Sequence, residues 1–311
     1  MKKKVLIVNS GIFKTNFIEF TNYDVRRISL FKNIRSYLKP LRIFHLKLNL
    51  PFQSIWEIEN ISIMFHGYDI IILHDSSSYS QLNRFIRLID KHSDYTTKLI
   101  FYFWNTINDF SSLKFSDKWD ITCFDYKDSI KFNLRYIGGF YCPFVLNNNK
   151  IVFDIFFIGI NKGRFSKLFL LEEKIEEIGL VPCFIYVSKL RHLFSKRYSN
   201  PILYNEVVDY ISKSKVILDF SKDGQFGLTL RVYESIYYNK KLITDNQSID
   251  QYDFYNESNI LIIKDYNDVN KIIYFLSIPF IPYSPSIFER YSLNSLISRI
   301  DNSNTIEDVR F

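Results

Sequence analysis

At 311 residues, with 47% apolar and 23% charged side chains, the chain has enough hydrophobic material for two ordinary cores, which excludes disordered, collagen-like and coiled-coil classes. Its formal charge of +7 favours an acidic partner, whether nucleic acid, anionic lipid or a phosphorylated small molecule. The cations read as scattered and no zinc-finger, RNP or basic-region pattern appears, so no nucleic-acid partner is expected.

The chain opens with Lys2, Lys3 and Lys4 before Val5, Leu6, Ile7 and Val8, which imitates a signal peptide. Asn9, Ser10 and Gly11 end that run short of the ~7–15 residues of a signal h-region, so the segment is predicted to be a buried first strand. No stretch approaches the ~18 apolar residues of a membrane span, and a cytoplasmic protein is expected. β-branched and aromatic runs then alternate with amphipathic stretches, the grammar of repeated βα units. Strands are predicted at 4–9, 41–48, 69–74, 98–104, 119–124 and 136–141, with helices over 24–38 and 81–91. Gly138 and Gly139 mark a bend, and the polar run 146–150 reads as a linker.

Beyond the linker the pattern restarts. Strands are predicted at 152–158, 181–187, 215–219, 241–244 and 259–263. The first is followed by a helix with Leu168, Leu171, Ile175 and Ile178 on one face and Gly179 as its C-cap. Further helices are predicted over 203–213, 229–238 and 268–276, and a last one over 287–300 after prolines at 279, 282 and 285. The expected domains are a Rossmann-like unit over 1–148, a second over 151–281, and a segment 282–311 whose helix crosses back to the first. Parallel sheets of this α/β kind leave a cleft beyond the carboxyl ends of their strands, where charged ligands bind. Cys123, Cys142 and Cys183 stand far apart among apolar neighbours and read as reduced core residues.

The chemistry concentrates in residues 219–235, a strand end, a glycine loop and a helix start. Gly224 and Gly227 allow close backbone approach around Gln225, Thr229 opens the helix, and its free N–H groups make an anion site for a diphosphate. Arg231 and Glu234 fall on one helical face, where a cation can meet phosphate and a carboxylate can accept ribose hydroxyls. The bland alternative is a turn, a cap and an exposed ion pair worth a few tenths of ~1 kcal/mol. Neither the dinucleotide fingerprint nor the P-loop is present.

Residues 154–159, Lys162, Arg164, 214–219, 224–231, Glu234, 240–244 and 252–255 together resemble a family of bacterial surface-polysaccharide glycosyltransferases, the lipopolysaccharide core type among them. The resemblance implies a GT-B fold, two Rossmann-like domains with parallel sheets facing across a cleft. It implies transfer of L-rhamnose from dTDP-L-rhamnose to a Kdo residue of a lipid-linked core oligosaccharide. Under it Lys162 and Arg164 face the donor diphosphate and Glu234 holds its ribose. Phe226 stands where retaining members carry a second glutamate, which favours inversion. No cofactor is implied beyond the nucleotide-sugar co-substrate, and the acceptor places the protein at the anionic inner face of the cytoplasmic membrane.

An inverting transfer needs a general base, expected from the first domain. His74 and Asp75 end a strand and enter a serine-rich loop, where side chains reach the ligand-binding end of a sheet. The plainer readings are a buried histidine and a helix N-cap. Asp24 and His66 are weaker candidates. Trp104 and Asn105 end another strand, as an acceptor-sugar contact or as a core aromatic with a turn residue. No metal site is expected, since no carboxylate pair of the D-x-D kind sits on a cleft loop. Two alternatives stay open: capsule or O-antigen synthesis with another nucleotide sugar, and a non-catalytic nucleotide- or sugar-binding protein.

Overall fold

Val5, Leu6, Ile7 and Val8 are buried because β1 (Lys4–Val8) lies between two parallel neighbours. On one side β2 (Asp24–Ile28) pairs Asp24 with Lys4, and on the other Val5 faces Ile70. The structure is a computed structural model and describes residues 1–8, 22–75, 78–147, 149–161, 163–188, 194–220, 227–263 and 269–306. It divides into two units, Met1–Gly139 with Leu296–Ile306, and Phe140–Ser295.

In the first unit α1 (Lys39–Lys47) follows β2, then come β3 (Ile70–His74), α2 (Tyr79–His92), β4 (Lys98–Phe103), β5 (Trp119–Cys123), α3 (Tyr126–Phe132) and β6 (Arg135–Tyr136). The sheet order is β2-β1-β3-β4-β5-β6, parallel throughout, so the strand order reverses between β1 and β3. Leu82, Phe85, Ile86 and Ile89 recur at helical spacing on α2 and pack on Leu99, Phe101 and Phe103 of β4.

Three expectations are corrected here. The helix expected over 24–38 begins as strand β2, which alternates exposed and half-buried residues from Asp24 to Arg27 and ends on the buried Ile28. The strand expected over 41–48 is helix α1, with Pro40 in its first turn, where a missing N–H costs nothing. The strand expected over 136–141 shrinks to β6 because Gly138 turns the chain with φ +66°.

The second unit runs β7 (Phe153–Ile160), α4 (Phe165–Glu177), β8 (Pro182–Val187), β9 (Tyr198–Ser199), α5 (Tyr204–Ser212), β10 (Ser214–Asp219), α6 (Leu230–Tyr237), β11 (Lys241–Thr244), β12 (Ile260–Ile262) and α7 (Asn270–Ser277). Its order, β12-β11-β10-β7-β8-β9, is the 3-2-1-4-5-6 order of doubly wound sheets, reversing between β7 and β10. α4 ends as the sequence suggests. Gly179 has φ +79°, its N–H donates to the Glu176 carbonyl and the Leu180 N–H to the Ile175 carbonyl, the paired bonds of a Schellman motif.

The helix expected over 287–300 is two helices, α8 (Pro285–Arg290) and α9 (Leu293–Asp301), broken at Tyr291 and Ser292. The later part of α9 belongs to the first unit. Leu296, Ile297 and Ile300 are buried there, Lys98 Nζ donates to the carbonyls of Ile300 (2.6 Å) and Asp301 (3.2 Å), and Arg299 Nε donates to the Ile137 carbonyl (3.0 Å). Cys123 and Cys142 are buried and Cys183 partly so. No helix among the described residues is long and apolar enough to cross a membrane.

Candidate functional site

Open parallel sheets hold ligands beyond the carboxyl ends of the strands where their order reverses. In the second unit that point is bounded by Gly159 near the end of β7 and Asp219 at the end of β10. Arg164, the residue before α4, folds back so that its guanidinium lies 5.4 Å above the Phe157 ring. Gly159 makes room for it: a Cβ there would stand 2.6 Å from Arg164 Nη2 and 2.9 Å from Phe157 Cζ.

Thr229 joins β10 to α6. As N-cap its hydroxyl accepts from the Arg231 N–H (3.2 Å) and donates to Asp219 Oδ1 (2.8 Å). One turn on, Arg231 Nη1 lies 2.5 Å from Glu234 Oε2, while the Tyr204 hydroxyl donates to Glu234 Oε1 (2.6 Å). Behind Tyr204 the Tyr141 and Tyr238 hydroxyls continue the chain of bonds, at 2.7 and 2.9 Å, to the Phe144 N–H (2.9 Å). Glu234 is 0% exposed, so its carboxylate is fixed from both sides inside the protein.

These charges feel one another. Burial pushes the Asp219 carboxyl up to about 6; the Thr229 bond and the nearby Arg164 and Arg231 pull it down, and Asp245 pushes it further up. Burial likewise raises Glu234, to about 7, against the pull of Arg231 and Tyr204. Asp219 Oδ2 has no hydrogen-bond partner among the described residues. Arg164, Thr229, Arg231 and Glu234 therefore converge on Asp219, with Gly227 buried just ahead of the cap. Lys162, Gly224 and Gln225 lie outside the described residues.

In the first unit His74, Asp75, Trp104 and Asn105 come together at the ends of the paired strands β3 and β4, one strand over from the reversal between β1 and β3. Asp75 is not a helix cap. Its Oδ1 accepts from the Trp104 N–H (2.9 Å), and its Oδ2 from the Asn105 N–H (3.1 Å) and side-chain amide (3.2 Å), so it clamps the loop leaving β4. Burial raises its pKa while those donors lower it. His74 is buried with its ring edge-on to Tyr102, and burial together with Arg27 lowers it to about 4, which leaves it neutral at pH 7. Trp104 is half-buried against Phe124 and Asn105 is exposed. His66 sits elsewhere, paired with Asp94 at the surface (2.9 Å).

Asp219 and the three tyrosines are the site residues that sequence reasoning missed. A carboxylate ending an apolar strand could have drawn attention to Asp219, but nothing in the spacing of Tyr141, Tyr204 and Tyr238 links them. A cavity of about 610 Å³, lined by Phe144, Val152, Phe153, Tyr210 and Lys213, opens at the amino end of β7, away from this constellation.

No protein-family model matches the chain. No curated protein matches it either. Among solved structures it is similar to the DNA-modifying enzyme β-glucosyltransferase, studied with and without uridine diphosphoglucose (13% identity, 96% of this chain and 94% of that chain, TM-score 0.43). It is also similar to a UDP-N-acetylglucosamine 2-epimerase (12%, 100% of both chains, 0.48) and to spinosyn rhamnosyltransferase SpnG complexed with thymidine diphosphate (10%, 90% and 84%, 0.38). With every TM-score below 0.5, a functional reading has to stand on the residues themselves.

Proposed function

We propose that the chain is a metal-independent, inverting glycosyltransferase of GT-B type, whose second unit binds a nucleotide sugar and whose first unit binds the acceptor. The observation that carries this reading is the convergence of Arg164, Arg231 and the Thr229-capped start of α6 on the end of β10. Breaking a sugar–phosphate bond builds negative charge on the departing nucleotide, and fixed cations with helix N–H groups stabilise it. Lys162, Gly224, Gln225 and Gly227 complete the diphosphate contact in this proposal. Glu234 orients Arg231, and its ribose role requires Arg231 to leave the carboxylate for the diphosphate when donor arrives.

Asp75 is the favoured base. Its Oδ1 accepts from the Trp104 N–H and as a carboxylate oxygen can take an acceptor proton, whereas His74 is buried and weakly basic. Asp75 takes the hydroxyl proton as that oxygen attacks the anomeric carbon, and the bond to the nucleotide diphosphate breaks on the opposite face. Trp104 and Asn105 hold the acceptor sugar. The finer assignment, L-rhamnose from dTDP-L-rhamnose to Kdo of a lipid-linked core at the anionic membrane face, rests on the sequence resemblance.

Incubation of the protein with dTDP-L-rhamnose and Kdo-terminated core, read by mass spectrometry, is expected to give dTDP and an added deoxyhexose. Turnover with other donors alone would move the reading to capsule or O-antigen synthesis. Nucleotide binding with no product would favour the non-catalytic alternative, and failure to bind any nucleotide sugar would end the proposal.

A further inference from the structure

The net charge of the chain is not scattered. Between Asp24 and Glu57 lie seven of the 40 Lys and Arg and none of the 33 Asp and Glu, so the formal +7 is the charge of this one stretch. The same stretch exposes large apolar side chains. α1 buries only Leu46, while Leu41, Phe44 and Leu48 stand in solvent at helical spacing, Phe44 at 59%. Leu50, Ile55 and Phe52, the last 80% exposed, continue the patch.

The loop is built to hold these groups outward. Phe52 has φ +62°, a left-handed conformation that bulky residues seldom adopt. Beneath it Trp56 Nε1 donates to His45 Nδ1 (2.7 Å), which leaves the proton of the neutral ring on Nε2 to meet the Pro51 carbonyl (2.7 Å). Gln53 Nε2 donates to Asn49 Oδ1 (2.9 Å) and so ties the two ends of the loop.

Exposed apolar patches of this extent mark interaction surfaces. We propose that residues 37–55 are a membrane-docking face, with the aromatic and leucine side chains entering the headgroup region of an anionic bilayer and Lys39 and Lys47 meeting lipid phosphates. Charge selects this occupant. A second copy docked through the same face would set Lys39, Arg42 and Lys47 against their own copies with no acidic residue to offset them, and an acidic lipid surface neutralises them. The inference deepens the lipid-linked acceptor reading, but its test does not pass through transfer.

The full chain is to be sedimented with phosphatidylcholine vesicles with and without ~30% phosphatidylglycerol, at low and high salt. Binding to the anionic vesicles is expected to exceed that to the neutral ones by at least about tenfold and to weaken with salt. Phe44→Glu with Phe52→Glu should lower it about tenfold, as should Lys39→Gln with Lys47→Gln, with dTDP binding unchanged in both. Equal vesicle binding by the wild type and the variants, or none by the wild type, overturns the assignment. So does a wild-type dimer that Phe44→Glu with Phe52→Glu makes monomeric. Vesicle binding without sugar transfer upholds the docking face while removing the proposed reaction.

Discussion

Gly159 does for Arg164 what no other residue could do at that position. In Gly159→Ala the new methyl must displace the guanidinium, the loose end of a flexible chain, and press on the buried Phe157 ring. The expected cost is about 1–2 kcal/mol of stability, with dTDP binding weakened roughly tenfold, measured by urea denaturation and calorimetric titration. Asp219 gives a pH signature. Its folded pKa of about 6 exceeds the ordinary ~4, so the native chain keeps a proton that the unfolded chain has released. Its contribution to stability is intact below about pH 4, declines as pH rises to about 6 and is constant above. Asp219→Asn removes this component, and the wild-type minus variant stability should fall across that window by an amount on the order of 3 kcal/mol. A difference that rises with pH instead would refute the assignment of Asp219 as a buried, proton-holding carboxyl.

At the level of elements, the Schellman end of α4 isolates one backbone effect. A Cβ at Gly179 meets nothing within 4 Å, so Gly179→Ala costs only the left-handed strain, about 1 kcal/mol in denaturation midpoints, without altering nucleotide binding. That cap was legible because glycine just past an apolar helical stripe has one physical use. The longer buried strands of both sheets were legible too, since buried parallel strands read as apolar runs, whereas the half-exposed edge strand β2 was read as a helix and the two-residue β9 was not seen. α1 was not. Leu41, Ile43, Leu46 and Leu48 recur mainly at every second residue, the period of a strand, and wound on a helix that spacing scatters them around the axis. A helix so patterned cannot bury them together, which is why Leu46 is buried while Leu41, Ile43 and Leu48 stand exposed. The site shows the same division. Thr229, Arg231 and Glu234 share one helix start and could be read locally, whereas the Asp75 clamp on the 104–105 amides and the tyrosine chain behind Glu234 join residues from distant segments, which no local pattern encodes.

For the molecule as a whole, the sharpest feature is the return of α9 to the first unit. A chain ended after Ser295 loses the buried Leu296, Ile297 and Ile300 and the acceptors for Lys98 and Arg135. The loss should destabilise the first unit by something on the order of 5 kcal/mol, seen by hydrogen exchange as faster opening of β3 and β4 with β7 and β10 little changed. Equal loss of protection in both sheets would contradict the division into units. The same feature orders events during synthesis. All twelve strands of the described residues leave the ribosome before the three side chains that complete the earliest-made sheet's packing, so the half translated first is the half finished last. Until then its exposed apolar surface is a substrate for chaperones, while the later-made sheet, unbroken in sequence, is free to settle ahead of it.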